Sequence, residues 1–483
     1  MLNKVKQYSS SLIVMVSLFF MWGFITSLND VLTPFLKSVF QLSHFQANLV
    51  QFSFFGAYFI GSLIYFIMSV TIGDPISKIT YKNGIILGLL LSSIGCFLFY
   101  PSAIYQSFGF FLGALACISF GLTILQIAAN PYVALLGRPE TASSRLNLAQ
   151  GFNSFGHTIA PVIGGFLIFK FFFTTNNPGA QSVKIPYLIF GGMFILLAVL
   201  IYFAHLPDFT GGEKIEKKPV ALQHRNLLFG IFAIFFYVGA EVSIGSNMVA
   251  YLKLDDVANL TEADASKFLA FYWGGAMIAR FMGSISLSGA KGYKKYVSMA
   301  GVAVILFIVV FLFSIITNTE FRQIFKGETA DKFSLLVNYF YSEFLKIWYF
   351  LIYLLINYFA FMLGKSMPAR TMTIFALFVM LLLLIGIFAN GTFAMWSMLS
   401  IGLFNSIMWS NIFTLAIDKL GQYTSQGSSL LVMMIVGGAI LPLLQGALAD
   451  ATNVHYSLFV PFLAYLYLIF YGISGYKLKE RNF

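Results

Sequence analysis

Residues 11–36 read SLIVMVSLFFMWGFITSLNDVLTPFL, an apolar run long enough to cross a lipid bilayer as one helix. A bilayer core about 30 Å thick needs roughly 20 apolar residues per helical crossing. Toward the end of the run, four polar residues fall at helical spacing and form one polar stripe: Thr26, Asn29, Asp30 and Thr33. The stretch therefore predicts a membrane helix whose polar face meets other protein or a water-filled cavity.

Runs of the same kind recur along the whole chain. Of its 483 residues, 59% are apolar and 10% are charged, whereas soluble domains carry about 25% charged residues. The pattern predicts an all-α polytopic membrane protein with about 14 transmembrane helices. The predicted crossings lie near 11–36, 46–70, 83–105, 107–135, 143–172, 185–205, 226–252, 264–288, 295–316, 345–364, 371–389, 393–417, 427–449 and 456–476.

The charged residues indicate how the chain is divided and oriented. Residues 206–225, LPDFTGGEKIEKKPVALQHR, are the longest charged interruption of the first half, and we interpret them as a linker between an N-terminal six-helix bundle, 1–205, and a C-terminal bundle, 226–483. The net charge of +11 comes from clusters of Lys and Arg between apolar runs, so it reflects membrane topology and not nucleic-acid binding. The clusters share one side, which predicts that both termini and the linker are cytoplasmic at a bacterial plasma membrane.

A short internal repeat coincides with this division. The string FFMWG at 19–23, followed by Leu36-Lys37, recurs as FFYVG at 235–239, followed by Leu252-Lys253. The first helix of each bundle therefore echoes the other, as in carriers built from two parallel repeats.

Two carboxylates lie at membrane depth, where an ionised group is costly unless it faces a cavity or a partner. They are Asp30 in the first predicted helix and Glu241 in the seventh, and a central cavity would let both face the same space. Both are candidates for coupling transport to a cation. A proton and a sodium ion each fit a carboxylate, and the sequence leaves both open; no other cofactor is expected.

Amide side chains form further polar stripes. The fourth predicted helix carries Thr123, Gln126 and Asn130 on one face, and the fifth carries Asn147, Gln150, Ser154 and His157. Amides donate and accept hydrogen bonds, which suits a neutral polyol, although such residues also join neighbouring helices without any ligand. Tryptophan faces could support a sugar ring, from Trp22, Trp273 and Trp409. We expect Arg280 to brace a helix end and His157 to be an interior histidine.

Several strings together resemble the fucose:proton symporter family of the major facilitator superfamily, and its glucose/galactose transporter branch in particular. They are LND at 28–30, AANPY at 128–132, RLNLAQ at 145–150, NSFG at 153–156, YVGAE at 237–241, GLFNS at 402–406 and TSQGS at 424–428. The resemblance implies two six-helix bundles around a midplane cavity and cation-coupled uptake of a hexose by alternating access.

The same resemblance implies roles for individual residues. Asp30 matches an aspartate that the fucose carriers use in transport, whereas Gln126 stands where they have a glutamate and Glu241 where they have a glutamine. Glu241 thus becomes the candidate coupling residue beside Asp30. The sugar is expected to be held by side chains in the matching helices, namely Asn29, Gln126, Asn130, Gln150 and Asn153.

The chain departs from the twelve-helix family pattern after position 289. Residues 290–370 hold two crossings more than that pattern needs, which predicts an inserted helical hairpin. Either 295–316 or 371–389 could be the family's ninth helix. The charged segment 317–344 would then face the outside.

Other functions remain alternatives. A carrier of fucose or another sugar would share the fold, as would a drug or lipid exporter, whose cavity should be more apolar, and a transport-inactive sugar sensor, which should carry a long signalling extension. No metal-ligand spacing and no glycine-flanked nucleophilic serine is found, so the protein is not expected to be an enzyme. The expected partners are a hexose and the lipid bilayer, and the expected state is a monomer.

Overall fold

The computed structural model describes residues 2–166, 179–209, 217–316, 318–326 and 331–478. The described residues are 87% helical and form no strand. The helices are α1 Leu2–Phe40, α2 His44–Thr71, α3 Pro75–Ile104, α4 Phe108–Leu135, α5 Ala142–Phe166, α6 Lys184–Phe203, α7 Arg225–Leu252, α8 Glu262–Ser286, α9 Tyr293–Ile316, α10 Thr319–Lys326, α11 Lys332–Leu363, α12 Pro368–Phe388, α13 Gly391–Asn405, α14 Met408–Ala416, α15 Thr424–Met433, α16 Gly437–Ala451, α17 Val454–Ser457 and α18 Phe459–Phe470.

The predicted fold class is confirmed. Among the described residues, 13 helical stretches are long and apolar enough to cross a membrane. Helices α13 and α14 together form one of these stretches, as do α15 and α16. Helix α5 is too polar to be counted with them, yet it packs along α1 and belongs to the same bundle. Its polarity marks it as a helix that faces protein and not lipid.

The two bundles have corresponding internal contacts. In the first, α1 packs on α5, α2 on α4, and α3 on both α4 and α6. In the second, α7 packs on α16, α8 on α13, and α12 on both α13 and α18. Helix α12 thus has the position of α3. In addition, α9 packs on α8, and α11 contacts both α8 and α13. We therefore propose that α9 and α11 are the inserted hairpin and that residues 371–389 correspond to the family's ninth helix.

The charged segment 317–344 forms more helix than the sequence suggests. It includes α10 and the first turns of α11, which begins at Lys332, ahead of the predicted crossing at 345. Residues 327–330 lie outside the described part of the chain.

Glycines bring the first helix of each bundle into backbone contact with its partner. A Cβ atom on Gly23 of α1 would lie 2.0 Å from the carbonyl oxygen of Asn153 in α5. In the second bundle, a Cβ atom on Gly437 of α16 would lie 2.1 Å from the carbonyl oxygen of Phe235 in α7. Small residues at such crossings let membrane helices approach closely. This shared construction agrees with the internal repeat found in the sequence.

Candidate functional site

The two bundles are joined by hydrogen bonds at one end, which we call the linker end because residues 217–224 lie there. The Asn147 amide of α5 donates to Asn411 Oδ1 of α14 at 3.2 Å. One turn earlier in α5, the hydroxyls of Ser143 and Thr414 are 2.6 Å apart. Gln426 of α15 contacts both Ser69 of α2 and the linker itself. The linker end is therefore closed in this structure.

A buried carboxylate takes part in this closure. Asp74 is the N-cap of α3 and accepts a hydrogen bond from the Ser77 amide. It also accepts hydrogen bonds of 2.6 Å from the hydroxyls of Tyr65, in its own bundle, and of Ser425, in the other. Burial raises the pKa of Asp74 above its ordinary value, while these three hydrogen bonds act in the opposite direction. No sequence pattern singles out Asp74, because it stands in a short break between two apolar runs.

Replacing Asp74 by Ala is expected to lower the stability of this closed conformation by about 2–4 kcal/mol, since the helix loses its cap and two hydroxyls lose their acceptor. The raised pKa sets how the stability depends on pH. Protonated Asp74 contributes fully to stability below the ordinary aspartate pKa, and this contribution is lost as the pH rises through the raised pKa of Asp74. Thermal unfolding of the native chain and of the Ala variant, recorded as a function of pH, measures both the loss of stability and its pH dependence. Asp418→Asn changes an exposed carboxylate at the same end and should shift neither; an equal shift would contradict the role of Asp74.

Glu241 and Arg280 form an ion pair at the centre of the second bundle's inner face. Arg280 of α8 places Nη2 3.5 Å from Glu241 Oε1 of α7, and both side chains are only slightly exposed, 12% and 13%. Arg280 Nε also donates to the carbonyl oxygen of Ser406 at 3.0 Å, and Nη1 donates to Ser154 Oγ of α5. The expectation that Arg280 braces a helix end is wrong, because the guanidinium lies between the bundles.

A buried polar network supports Glu241 from behind. The Tyr272 hydroxyl donates to the Glu241 carbonyl oxygen at 3.0 Å and accepts from the Asn405 amide at 3.0 Å. Tyr465 donates to Asn405 Oδ1 at 2.5 Å, and Tyr237 donates to the Asn405 carbonyl oxygen at 3.1 Å. All four side chains are buried. The network fixes α7 at the residue that carries the carboxylate.

The first bundle faces this pair with α1 and α5. Thr26 Oγ1 lies 3.4 Å from His157 Nδ1, and Ser27 donates to the His157 carbonyl oxygen at 3.0 Å. His157 stands one turn beyond Ser154 and lies within electrostatic range of Arg280. The predicted polar stripe of α5 therefore does turn toward the second bundle.

The predicted sugar-binding residues are only partly brought together. Gln126 is buried and interacts with Tyr58 of α2. Asn130 is fully buried, and within the described part of the chain neither polar atom of its amide has a hydrogen-bond partner. Gln150 is buried on α5, and the Asn153 amide donates to the Phe19 carbonyl oxygen at 3.0 Å, which joins α5 to α1. The side chains of Asn29 and Asp30 lie outside what the structure describes.

The three tryptophans proposed as sugar platforms differ in how exposed their side chains are. Trp22 and Trp409 are each 7% exposed, so they are packed in the core. Trp273 is 36% exposed and lies on α8 two turns before Arg280, at the helical spacing that puts both on one face. Of the three, Trp273 has the exposure that a sugar platform needs.

Comparisons with known proteins agree with this architecture. The Major Facilitator Superfamily model matches residues 12–324. The chain is 41% identical over 476 residues to the glucose/galactose transporter of Brucella abortus, covering 98% of this chain and 95% of that protein. It is 28% identical to the L-fucose-proton symporter of Escherichia coli, covering 97% and 93%. The crystal structure of the transporter FucP in the outward conformation is similar with a TM-score of 0.71 at 27% identity, covering 96% of this chain and 98% of that one.

Proposed function

This chain belongs to the Major Facilitator Superfamily, and from that premise we propose that it is a secondary active transporter that takes up a hexose, such as glucose or galactose, together with a proton. The relatives named as glucose/galactose transporters support the cargo, and those named as L-fucose-proton symporters support the coupling ion. The observation that carries the proposal is the Glu241–Arg280 pair between the bundles, since it is a titratable group where the two halves meet.

The ion pair favours a proton over sodium at Glu241. A sodium ion bound to this carboxylate would lie close to the guanidinium, because Arg280 Nη2 is already 3.5 Å from Oε1. Two unit charges about 4 Å apart repel by roughly 4 kcal/mol at an effective dielectric constant of 20. Protonation loses the attraction within the ion pair, a cost of similar size. A sodium ion needs several oxygen ligands around it as well, which the guanidinium beside the carboxylate cannot supply, whereas a proton needs none.

The closed linker end supports an outward-facing state. If the Lys and Arg clusters place the linker in the cytoplasm of a bacterial cell, the hydrogen bonds of Ser143, Asn147 and Asp74 close the cytoplasmic side of the plasma-membrane carrier. The similarity to an outward conformation of FucP supports the same interpretation. Alternating access then requires the bundles, 1–205 and 226–483, to rock apart at the linker end.

We propose that the sugar lies between the bundles, held by amides of the first one. Gln126, Asn130 and Gln150 are the described candidates, and the orphaned amide of Asn130 is the group most in need of a partner. Asn153 contributes through its position at the α1–α5 crossing, and Asn29 completes the set by sequence, while Asp30 stays a candidate for cation coupling beside Glu241. The chain is proposed to act as a monomer.

The direct test is uptake of labelled glucose, galactose and fucose into proteoliposomes that contain the purified protein. Each sugar is offered with an inward proton gradient, an inward sodium gradient or neither. Glucose or galactose should accumulate only under the proton gradient. Fucose uptake at an equal rate would reassign the cargo, accumulation under sodium would reassign the ion, and no sugar movement under any gradient would refute the carrier proposal.

A further inference from the structure

Arg280 holds three groups at once, and one of them belongs to the other bundle. Glu241 and Ser406 lie in the second bundle with Arg280 itself, whereas Ser154 is on α5 of the first. The Ser154 hydroxyl donates its own hydrogen to the Gln150 carbonyl oxygen at 3.0 Å. Its free lone pair is therefore the acceptor for Arg280, which makes the contact directional.

Separation of the bundles at the linker end would remove one of these three partners. Helices α7, α8 and α13 contact one another, so Glu241 and Ser406 would move with Arg280. Ser154 would leave with α5, and one N–H of a largely buried guanidinium would lose its acceptor. An unsatisfied buried donor on a charged group is costly, so the guanidinium must find another partner.

The Glu241 carboxylate is placed to supply that partner. Glu241 Oε1 lies 3.5 Å from Arg280 Nη2. A well-formed hydrogen bond between charged groups is shorter, about 2.7–2.9 Å. A guanidinium released from Ser154 can turn its free N–H to the carboxylate and form the two-pronged contact that arginine and carboxylates prefer. A protonated Glu241 is a poor acceptor for that second contact, because it carries no charge.

We propose that Arg280 is a positioning residue that exchanges Ser154 for Glu241 when the bundles separate, so that ionised Glu241 favours the conformation open at the linker end and protonated Glu241 favours the closed one described here. This inference rests on the proposed proton coupling. By linkage, a proton that stabilises the closed conformation is bound more readily in that conformation and released from the open one. The exchange would thus set the direction of proton movement: the proton binds from the outside and is released to the cytoplasm.

Other titratable groups face this site and must be separated from Glu241 in any test. His157 approaches from α5, and the hydroxyls of Tyr237, Tyr272 and Tyr465 approach from α7, α8 and α18. Tyr465 and Tyr272 are engaged with Asn405, and Tyr272 also with the Glu241 backbone. Tyr237 hydrogen-bonds to the Asn405 carbonyl oxygen and also to the Glu241 side chain. Asp30 of α1 lies outside the described side chains, and Asp74 titrates at the linker end itself.

The experiment measures opening of the linker end directly, without sugar. Spin labels are attached at Arg138→Cys and Lys291→Cys, exposed positions of the two bundles at that end, in a chain that carries Cys96→Ala, Cys117→Ala and Asp74→Asn. The distance between the labels is measured in liposomes from acid to alkaline pH. The ratio of the open to the closed conformation should rise about tenfold from acid to alkaline pH if the pKa of Glu241 is one lower in the open conformation than in the closed one. Glu241→Gln should abolish the rise.

Ser154→Ala and Ser143→Ala form a matched pair, because each removes one hydroxyl of α5 that crosses to the other bundle. Both should increase the open fraction, but only Ser154→Ala should also reduce the pH response, to less than about threefold, and Ser154→Thr should restore it. The inference is overturned if the pH response of the open-to-closed ratio is undiminished in Ser154→Ala. It is also overturned if His157→Gln or Asp30→Asn abolishes the pH response and Ser154→Ala does not. Proton-driven sugar uptake that persists alongside such a result would leave the proposed function standing.

Discussion

Replacing Glu241 by Gln is expected to abolish accumulation of the sugar while preserving its exchange across the membrane. The amide keeps the shape of the side chain and the contact with Arg280, but it cannot gain or lose a proton. For one proton per sugar, a gradient of one pH unit drives about tenfold accumulation in the native protein. The variant should only equilibrate the sugar, since no proton crosses with it.

The measurement compares proton-driven accumulation with exchange of labelled for unlabelled sugar in the same proteoliposomes. Glu262→Gln is the matched control, because Glu262 is 78% exposed at the start of α8 and pairs only with the surface residue Lys253 among the described residues. That variant should accumulate sugar normally. Continued accumulation by Glu241→Gln would show that the coupling proton binds elsewhere, with Asp30 the next candidate.

Replacing Gly23 by Ala is expected to prevent stable packing of the first bundle. The added Cβ would lie 2.0 Å from the Asn153 carbonyl oxygen and 2.7 Å from the carbonyl carbon. Both are backbone atoms, so no side chain can rotate away and α1 must move from α5. Overpacking of a well-packed core costs about 1–3 kcal/mol, and we expect the upper end of that range or more here because the obstacle is rigid.

Gly192→Ala supplies the control, since a Cβ on this exposed glycine of α6 would meet no atom within 4 Å. Both variants are purified in the same detergent and compared by thermal unfolding and by the yield of monodisperse protein. Gly23→Ala should lose much of its yield and unfold at a lower temperature, whereas Gly192→Ala should match the native chain. Equal stability of the two would mean that the α1–α5 crossing can relax at little cost.

The sequence was sufficient for the helices because their signal is local. An apolar run of bilayer length specifies a crossing without knowledge of its neighbours, and the runs near 226–252 and 371–389 correspond closely to α7 and α12. The stripe that ends in Ser154 and His157 was also predictable, since residues three and four apart share one helical face. The position of the inserted hairpin was not, because it depends on which helix packs against α13 and α18.

The partners across the site could not be derived from local patterns. Glu241 and Arg280 are 39 residues apart and lie on different helices, so only the packing of α7 against α8 brings them together. Arg280 was misinterpreted because a lone arginine in an apolar helix more often reaches toward the membrane surface. Asp74 was overlooked for a related reason, since its partner Ser425 is 351 residues away.

The position of Asn226 has a consequence for how the protein is made. Its amide donates to the carbonyl oxygens of Leu415, Ala416 and Asp418, which the ribosome adds some 190 residues later, at separations of 189, 190 and 192. Helix α1, by contrast, packs on α5, and both helices are complete well before α7 is translated. We therefore expect the first bundle to mature during synthesis, while α7 cannot complete its contacts until nearly the whole chain has emerged. Chain truncations that stop before 415 should leave the second bundle open to proteolysis and the first one protected.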